Sequence, residues 1–319
     1  MSQAVLSNVA ASVKQRLLNR AREQKEDFNL LLTKYGLERI LYRIGRSPYK
    51  DSFVLKGALL FELWTEQRYR PTRDADFLSK GDNNPERYQH IFEEICNMKV
   101  EDDGVRFDRG TVKVEKIKED QDYEGLRVTF TGFMEAARLP VQIDIGFGDA
   151  VTPGPIETDF PTLLQGPSPR LLSYPRETVI AEKFEAMVKL GMANTRMKDF
   201  HDLKTLSELF HFESETLVEA IQRTFERRKT VLPVNEPPTA LTEEFYADAT
   251  KMAQWNAFNL KNKLYIQPSS LETVTTSIRA TQVRYRHLFL LITRQELQTL
   301  IQDPTLFPGH TTSSCVAQS

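Results

Sequence analysis

Hydrophobic residues along the chain follow two different periods, and each period predicts a kind of element. Apolar side chains that recur every three or four residues lie on one side of a helix. Apolar side chains that alternate with polar ones lie on one face of a strand. The first pattern predicts helices over residues 4–24, 28–44, 58–66, 86–97, 177–190, 199–209, 242–263 and 283–301. Short apolar or alternating patterns predict strands over residues 72–78, 112–117, 126–131 and 141–147, and residues 53–55 form a further short apolar run.

The stretch FVLKGALLFELWTEQRYRPTRDADFL, residues 53–78, combines an apolar run, a glycine, a predicted helix and a predicted strand. Residues two apart on a strand share a face, so Asp74 and Asp76 point the same way. Neighbouring carboxylates repel unless a cation lies between them, and paired oxygen ligands suit Mg²⁺. Gly57 at the helix start leaves room for a phosphate beside free N–H groups. The alternative interpretation is a buried helix followed by an edge strand with solvated acids.

A third acid lies in the predicted strand VQIDIGF, residues 141–147. Its apolar residues alternate onto one face, so Asp144 falls on the opposite face. An acid inside an otherwise apolar strand requires a partner or a metal. Asp144 is therefore the third candidate carboxylate beside Asp74 and Asp76. The alternative is a strand with one wet face, on which Asp144 is simply exposed.

The segment after residue 175 carries further candidate residues on predicted helices. Lys183 lies at the edge of an apolar stripe and Glu182 points away from it. Such a lysine usually covers apolar surface with its stem, but it contacts phosphate if the edge faces the carboxylates. Asp199 and Asp202, three residues apart, share one side of the next helix. Favourable placement in the first turn of that helix explains Asp199 well and Asp202 less well.

Charge and composition narrow the function classes. The chain has 319 residues and a net charge of −2, so any contact with nucleic acid must come from local basic patches rather than from the whole chain. Basic residues do cluster in the segments 16–22, 196–198 and 223–229. Two distant cysteines fit a reducing cytosol and argue against a disulfide scaffold or a zinc site. The sequence shows neither an apolar run that could span a bilayer nor a secretory signal. We therefore expect a cytoplasmic protein without a membrane partner.

Four segments of the chain together resemble the AbiEii-type nucleotidyltransferase toxins of bacterial abortive-infection and toxin–antitoxin systems. They are DFNLLLTKYGLERILYRI (27–44), FVLKGALLFELW with RPTRDADFL (53–64 and 70–78), VQIDIGFGDAVTPGP (141–155) and YPRETVIAEKFEAMVKLGMANTRMKDFHDL (174–203). The resemblance implies an α+β fold with a polymerase-β-like nucleotidyltransferase core, in which a small mixed sheet packs with helices, plus helical additions at both ends. It fades beyond about residue 240.

The implied domain organisation has three parts. Residues 1–48 form N-terminal helices that pack on the core, and residues 49–165 form the nucleotidyltransferase core. Residues 170–319 form a mainly helical domain that completes the active site, and from its Thr/Ser-rich composition we expect a disordered tail from about residue 309. The Pro- and Gly-rich segment 153–169 is the connector between the last two parts.

The resemblance also assigns roles to residues. Asp74, Asp76 and Asp144 are the expected metal ligands. The expected nucleotide-binding residues are Lys56, Gly57, Ala58, Thr72 and Lys183. The expected catalytic residues are Asp74, Asp76, Asp144, Lys183 and Asp199. The wider superfamily often has Gly-Ser or Gly-Gly where this chain has Gly57-Ala58, so a hydroxyl contact to phosphate is absent here.

The implied reaction is the Mg²⁺- or Mn²⁺-dependent transfer of a nucleotide from an NTP to an RNA acceptor, with release of pyrophosphate. Relatives point to the 3′ end of transfer RNA, whose modification blocks translation, and to a cognate antitoxin as partner. Arg196, Lys198, Arg227 and Arg228 are the candidate RNA contacts. Nucleotidylation of a protein or small molecule, a partner-binding module with a degenerate site, and a metal nuclease stay open as alternatives.

Overall fold

A seven-stranded mixed sheet forms the centre of the protein. We describe it from a computed structural model, which covers residues 8–65, 69, 71–120, 123–233, 236–262 and 269–280, without the side chains of residues 118–120 and 123. The strands are β1 (Phe53–Lys56), β2 (Ala75–Ser79), β3 (Arg106–Asp120), β4 (Tyr123–Met134), β5 (Ala137–Phe147), β6 (Ile156–Asp159) and β7 (Arg170–Ser173). Their order across the sheet is β3-β4-β5-β2-β1-β7-β6.

The pairing of the strands places β2 and β5, which carry the candidate acids Asp76 and Asp144, side by side. β2 runs antiparallel to β1 and parallel to β5, and β5 pairs antiparallel with β4. β7 runs parallel to β1 and antiparallel to β6. The strand that carries Asp76 therefore lies directly beside the strand that carries Asp144.

The N-terminal half of the chain covers the sheet with four helices, and all but the third begin at a capping side chain. These are α1 (Val9–Gln24), α2 (Phe28–Arg46), α3 (Leu60–Trp64) and α4 (Pro85–Cys96). The Asp27 carboxylate accepts a hydrogen bond from the Leu30 amide at 2.7 Å, which satisfies one of the free donors at the start of α2. The apolar stripe of α2, including Leu37, Ile40 and Leu41, is buried in the core.

The chain beyond β7 is helical. Its elements are α5 (Arg176–Leu190), α6 (Met197–Leu209), α7 (Ser214–Arg227), α8 (Glu243–Tyr246) and α9 (Ala249–Asn262), and residues 271–280 are also helical. Their buried apolar residues join those of the sheet in one core. The start of α6 and the residues after α7 face the same side of the sheet as α5, where a cavity lies between helices and strands.

The prediction of an α+β fold, with a small mixed sheet and helical additions, is confirmed, and four element predictions need correction. The predicted helix over 58–66 is a 3₁₀ turn over Gly57–Leu59 followed by α3, because Thr65 adopts an extended conformation. β2 begins at Ala75 and not at residue 72. The connector 153–169 contains β6, and the helix predicted over 242–263 is divided into α8 and α9.

The helix predicted over 283–301 and the tail from about 309 lie outside the described residues. Within the described residues, no helix is both long and apolar enough to cross a bilayer.

Candidate active site

Four charged side chains form a row across four neighbouring strands. Arg127 on β4 is opposite Asp144 on β5, Asp144 is opposite Asp76 on β2, and Asp76 is opposite Lys56 on β1. Residues that are opposite one another in a sheet point to the same face. The sheet therefore presents a basic, an acidic, a second acidic and a second basic side chain in sequence on one face.

The acidic pair predicted from the sequence lies at the start of β2. Thr72 donates a hydrogen bond to the Asp74 carboxylate at 2.7 Å, and this contact fixes the side chain just before the strand begins. Burial, followed by the negative charge of Asp74, raises the pKa of Asp76 to about 6. Neither Asp74 nor Asp76 makes an ion pair with any residue that the structure describes. The pair thus carries negative charge that the described side chains do not neutralise by direct contact.

Gly57 supports Asp76 by its lack of a side chain. Its φ angle is +77°, a conformation that L-residues rarely adopt. A Cβ atom built at this position would lie 2.0 Å from the Asp76 Oδ2 atom. The close approach that the glycine permits in this structure is therefore that of a carboxylate on the neighbouring strand.

The carboxylate of Asp144 is held by a residue that the sequence did not single out. Arg127 donates to Oδ1 and Oδ2 of Asp144 at 2.8 and 2.7 Å, in a two-pronged pairing. The hydrogen bond to Asp144 raises the pKa of the Arg127 guanidinium. The requirement that Asp144 has a partner was the signal that could have found Arg127, because the predicted neighbouring strand 126–131 carries that arginine.

On the helix side of the cavity, Lys183 of α5 is gripped by two buried acids of α6. Its Nζ atom lies 2.7 Å from Asp199 and 2.8 Å from Asp202, and both carboxylates are fully inaccessible to solvent. Arg196 also lies 2.6 Å from Asp199. Burial alone would raise the pKa of Asp199, but Lys183 and Arg196 outweigh it and hold that pKa below its ordinary value. Asp199 and Asp202, three residues apart on α6, thus hold the Lys183 ammonium group by two ion pairs, and we call this arrangement the lysine clamp.

A second buried network joins the sheet to α5 and the end of α7. Asp149 lies 3.1 Å from Lys56 and 3.1 Å from Arg228. Arg228 also lies 2.9 Å from Glu185 and 3.4 Å from Glu182. The prediction that Glu182 points away is wrong, because the arginine that follows α7 draws its carboxylate to the cavity wall. Neither Asp149 nor Glu185 was among the residues predicted from the sequence.

These elements enclose one cavity of about 460 Å³. The residues expected to act on metal, nucleotide or acceptor, with one exception, all line it: Lys56, Gly57, Ala58, Thr72, Asp74, Asp76, Asp144, Lys183, Arg196, Lys198, Asp199 and Arg228. The exception is Arg227, which donates to the backbone carbonyl of Gly148 and contributes to the join between α7 and the sheet. Arg228 lines the wall with its guanidinium already engaged by three carboxylates.

The family model for the nucleotidyl transferase AbiEii toxin of type IV toxin–antitoxin systems matches residues 39–276. The chain belongs to the AbiEii family. This match spans the strands of the sheet, the cavity and the helices α5, α6 and α7. The family description implies an antitoxin partner.

Two solved structures from Helicobacter pylori are similar to this AbiEii-family chain. One is described as a candidate nucleotidyltransferase; at 15% identity it gives a TM-score of 0.44, and the match covers 80% of this chain and 93% of that chain. The other, JHP933, has the same identity and TM-score over 83% of this chain and 94% of its own. A search of curated proteins gave no match.

The donor chemistry of the AbiEii-family site fits a hard divalent cation at the acidic pair. Asp74 and Asp76 offer oxygen ligands without a direct cationic partner, and burial, followed by the charge of Asp74, raises the pKa of Asp76. Asp144 lines the same cavity, but its two oxygens are occupied by Arg127. Accordingly, no group of three or more His, Cys, Asp or Glu side chains within the described residues is already arranged around a metal position. A cation bound by Asp144 would compete with Arg127 for these oxygens.

Proposed function

We propose that this AbiEii-family protein transfers a nucleotide from an NTP to an RNA acceptor in a reaction that depends on Mg²⁺ or Mn²⁺. One observation carries the proposal. The carboxylates of Asp74 and Asp76, which lack an ion-pair partner in the described chain, line the same cavity as the clamped Lys183. An NTP binds together with a metal ion and carries a negatively charged phosphate chain. In this cavity the Asp74/Asp76 pair suits the metal ion and Lys183 suits the phosphates.

The proposed reaction is a displacement at phosphorus. A hydroxyl oxygen of the acceptor forms a bond to the α-phosphorus of the NTP, and the bond from that phosphorus to the bridging oxygen breaks. Pyrophosphate leaves with the electron pair of that bond, and the hydroxyl proton passes to solvent or to a carboxylate. Positioning and electrostatic stabilisation dominate catalysis of such transfers.

Each group in the cavity then has a distinct task. Asp74 and Asp76 would hold the cation, which would supply positive charge at the phosphate oxygens. Asp144, which lines the same cavity, would be the third ligand. Lys183 faces the charge that develops on pyrophosphate, with Lys56 as a second cation. Because Asp199 contacts Lys183 and not open solvent, we assign it the orientation of that lysine rather than base or ribose binding.

The acceptor is proposed to be RNA, with the 3′ end of transfer RNA as the specific candidate and arrest of translation as the consequence. Arg196 and Lys198 support this assignment, because both are exposed basic residues at the cavity. Arg227 and Arg228 are poorer candidates for RNA contact than the sequence suggested, since the first holds Gly148 and the second is engaged by carboxylates. Neutralisation by the antitoxin implied by the family is part of the same proposal.

The test is to incubate purified protein with total RNA and each of the four α-labelled NTPs. We expect label in RNA with Mg²⁺ present, and loss of at least about 10³-fold in Asp74→Asn and Asp76→Asn variants that keep the wild-type circular dichroism spectrum. Label in protein or in a small molecule would replace RNA as the acceptor class. RNA shortening without NTP would indicate a nuclease, and activity in both variants equal to that of the wild type would contradict the metal assignment.

A further inference from the structure

A second cavity, of about 780 Å³, opens beside the first and is not part of the site described above. The two cavities share a wall made of two short segments. In residues 71–74, Thr72 and Asp74 line the first cavity while Pro71 and Arg73 line the second. Arg196, immediately before α6, and Lys198, in the first turn of α6, line both. A molecule held in the second cavity therefore lies one wall away from the Asp74/Asp76 pair.

The second cavity is basic, and its exposed basic side chains are available. Arg73, Lys198 and Lys261 are exposed, and none of them makes an ion pair or hydrogen bond with a residue that the structure describes. The acidic residue on the described lining, Asp27, is already bonded to the backbone at the start of α2. Unpaired cations along a groove are the electrostatic footprint of a phosphate backbone.

The floor of this cavity offers contacts of a different kind, both from α9. The ring of Phe258 is half-buried and fixed by stacking on Trp255, with ring centres 5.4 Å apart. The Oε1 atom of Gln254 is buried and has no hydrogen-bond partner among the described residues. A fixed aromatic ring is a stacking surface for a base, and an unsatisfied amide oxygen suits an amino or hydroxyl donor.

We propose that the second cavity binds the terminal nucleotides of the single-stranded acceptor RNA, with phosphates against Arg73, Lys198 and Lys261 and a base stacked on Phe258. This inference rests on the proposed function, because it supplies the path by which an RNA end reaches Asp74 and Asp76. The combination of cations, a fixed ring and an unsatisfied amide favours a nucleic acid over an acidic protein segment, which requires only the cations.

The test measures RNA binding without NTP and without metal, so that it does not depend on the transfer reaction. Fluorescence anisotropy with a labelled RNA hairpin that has a short single-stranded 3′ end is compared for the wild type and for Arg73→Ala/Lys261→Ala. Lys198 is kept because it also lines the first cavity. We expect the affinity of the double variant to fall about tenfold or more, and the slope of log affinity against log salt to fall by about 1–2. NTP binding, measured by equilibrium dialysis, is expected to be unchanged.

The matched control is Lys99→Ala/Arg109→Ala, which removes the same charge from exposed positions that line neither cavity. It is expected to bind the hairpin as the wild type does. Phe258→Leu is expected to weaken binding about tenfold and Phe258→Tyr to restore it, because tyrosine keeps the stacking surface.

Three results would overturn the inference: wild-type protein that does not bind the hairpin, a double variant that binds it as tightly as its control, or a double variant that loses only antitoxin binding. The last result would assign the cavity to a protein partner. The failure of the proposed function is distinguishable from these, since it leaves the hairpin bound in the second cavity and total RNA unlabelled.

Discussion

The two sides of the first cavity differ in how their charges are balanced. On the helix side, Lys183 and Arg196 balance the buried carboxylates of Asp199 and Asp202 at ion-pair distance. On the sheet side, Asp74 and Asp76 lie together without such a partner in the described chain, and the pKa of Asp76 is raised. The balanced side holds the fold and orients a lysine. Because the pKa of Asp76 is raised, we expect the unbalanced side to lower the free energy of unfolding at neutral pH, and we propose that a bound cation compensates for this cost.

The largest effect on stability is expected when the positive charge that balances the buried acids of α6 is removed. Lys183→Met leaves the carboxylates of Asp199 and Asp202 buried without their lysine, so we expect a loss of about 3–5 kcal/mol in the free energy of unfolding. Urea denaturation at pH 7 in EDTA measures it. The control Lys204→Met, which removes an exposed pair with Glu208, is expected to change stability by less than about 0.5 kcal/mol. Equal effects of the two substitutions would show that the clamp is not structural.

On the sheet side, we expect a substitution to raise the free energy of unfolding instead of lowering it. Because the pKa of Asp76 is about 6 in the folded protein and 3.8 for an ordinary Asp, the folded state binds a proton more tightly than the unfolded state. Stability contributed by this group is present below about pH 4 and is lost as the pH rises through 6. Asp76→Asn removes the penalty, so at pH 7 in EDTA we expect a gain of about 1–3 kcal/mol, vanishing below pH 4.

Asp144→Asn provides the comparison for this prediction, since it makes the same chemical change on the same face but deprives Arg127 of its partner. We expect no gain in stability from it at pH 7. The interpretation of the sheet side would be contradicted by an Asp76→Asn protein that is less stable than the wild type at that pH.

A smaller effect is expected from the arginine that occupies Asp144. Arg127 and a cation compete for the same two oxygens, so Arg127→Gln is expected to raise Mn²⁺ affinity by about three- to tenfold in the presence of NTP. Calorimetric titration measures the change. Arg127→Lys keeps the charge but loses the two-pronged geometry, so we expect its Mn²⁺ affinity to lie between those of the wild type and Arg127→Gln. Unchanged Mn²⁺ affinity in Arg127→Gln would mean that the arginine does not limit access to Asp144.

The smallest effect is expected outside both networks. Arg223 belongs to the basic cluster near residue 229, and its ion pair with Glu219 is exposed on α7. Arg223→Ala is expected to change the free energy of unfolding by no more than about 0.5 kcal/mol and to leave RNA labelling unchanged. A clear loss of labelling would extend the RNA-binding surface to α7.

The contrast between the two sides also explains what the sequence could and could not predict. Strand alternation fixes the face of a residue locally, so Asp76 and Asp144 could be assigned to one site once their strands were recognised. The pairing of Arg127 with Asp144 depends on the register of β4 against β5, which local pattern does not contain. β7 escaped prediction because four residues after a Pro-rich segment show no period, and its pairing with β1 defines it.

The helix side shows the same limit. The spacing of Asp199 and Asp202 identified the pair, but not that Lys183 lies between them, because that contact joins two helices. Glu182 was predicted to point away from the apolar stripe of α5 from the pattern of that helix alone. Arg228 arrives from the end of α7 and covers that face, and such a contact between distant segments has no signature in the periodicity of either.

The central claim is that the unbalanced acidic pair is a cation site, and Mn²⁺ titration followed by electron paramagnetic resonance tests it most directly. The wild-type protein with a non-hydrolysable NTP is compared with Asp74→Asn and Asp76→Asn, each confirmed to be folded. The account predicts protein- and nucleotide-dependent Mn²⁺ binding in the wild type, with affinity reduced at least about tenfold in both variants. Equal Mn²⁺ binding by all three proteins would contradict it.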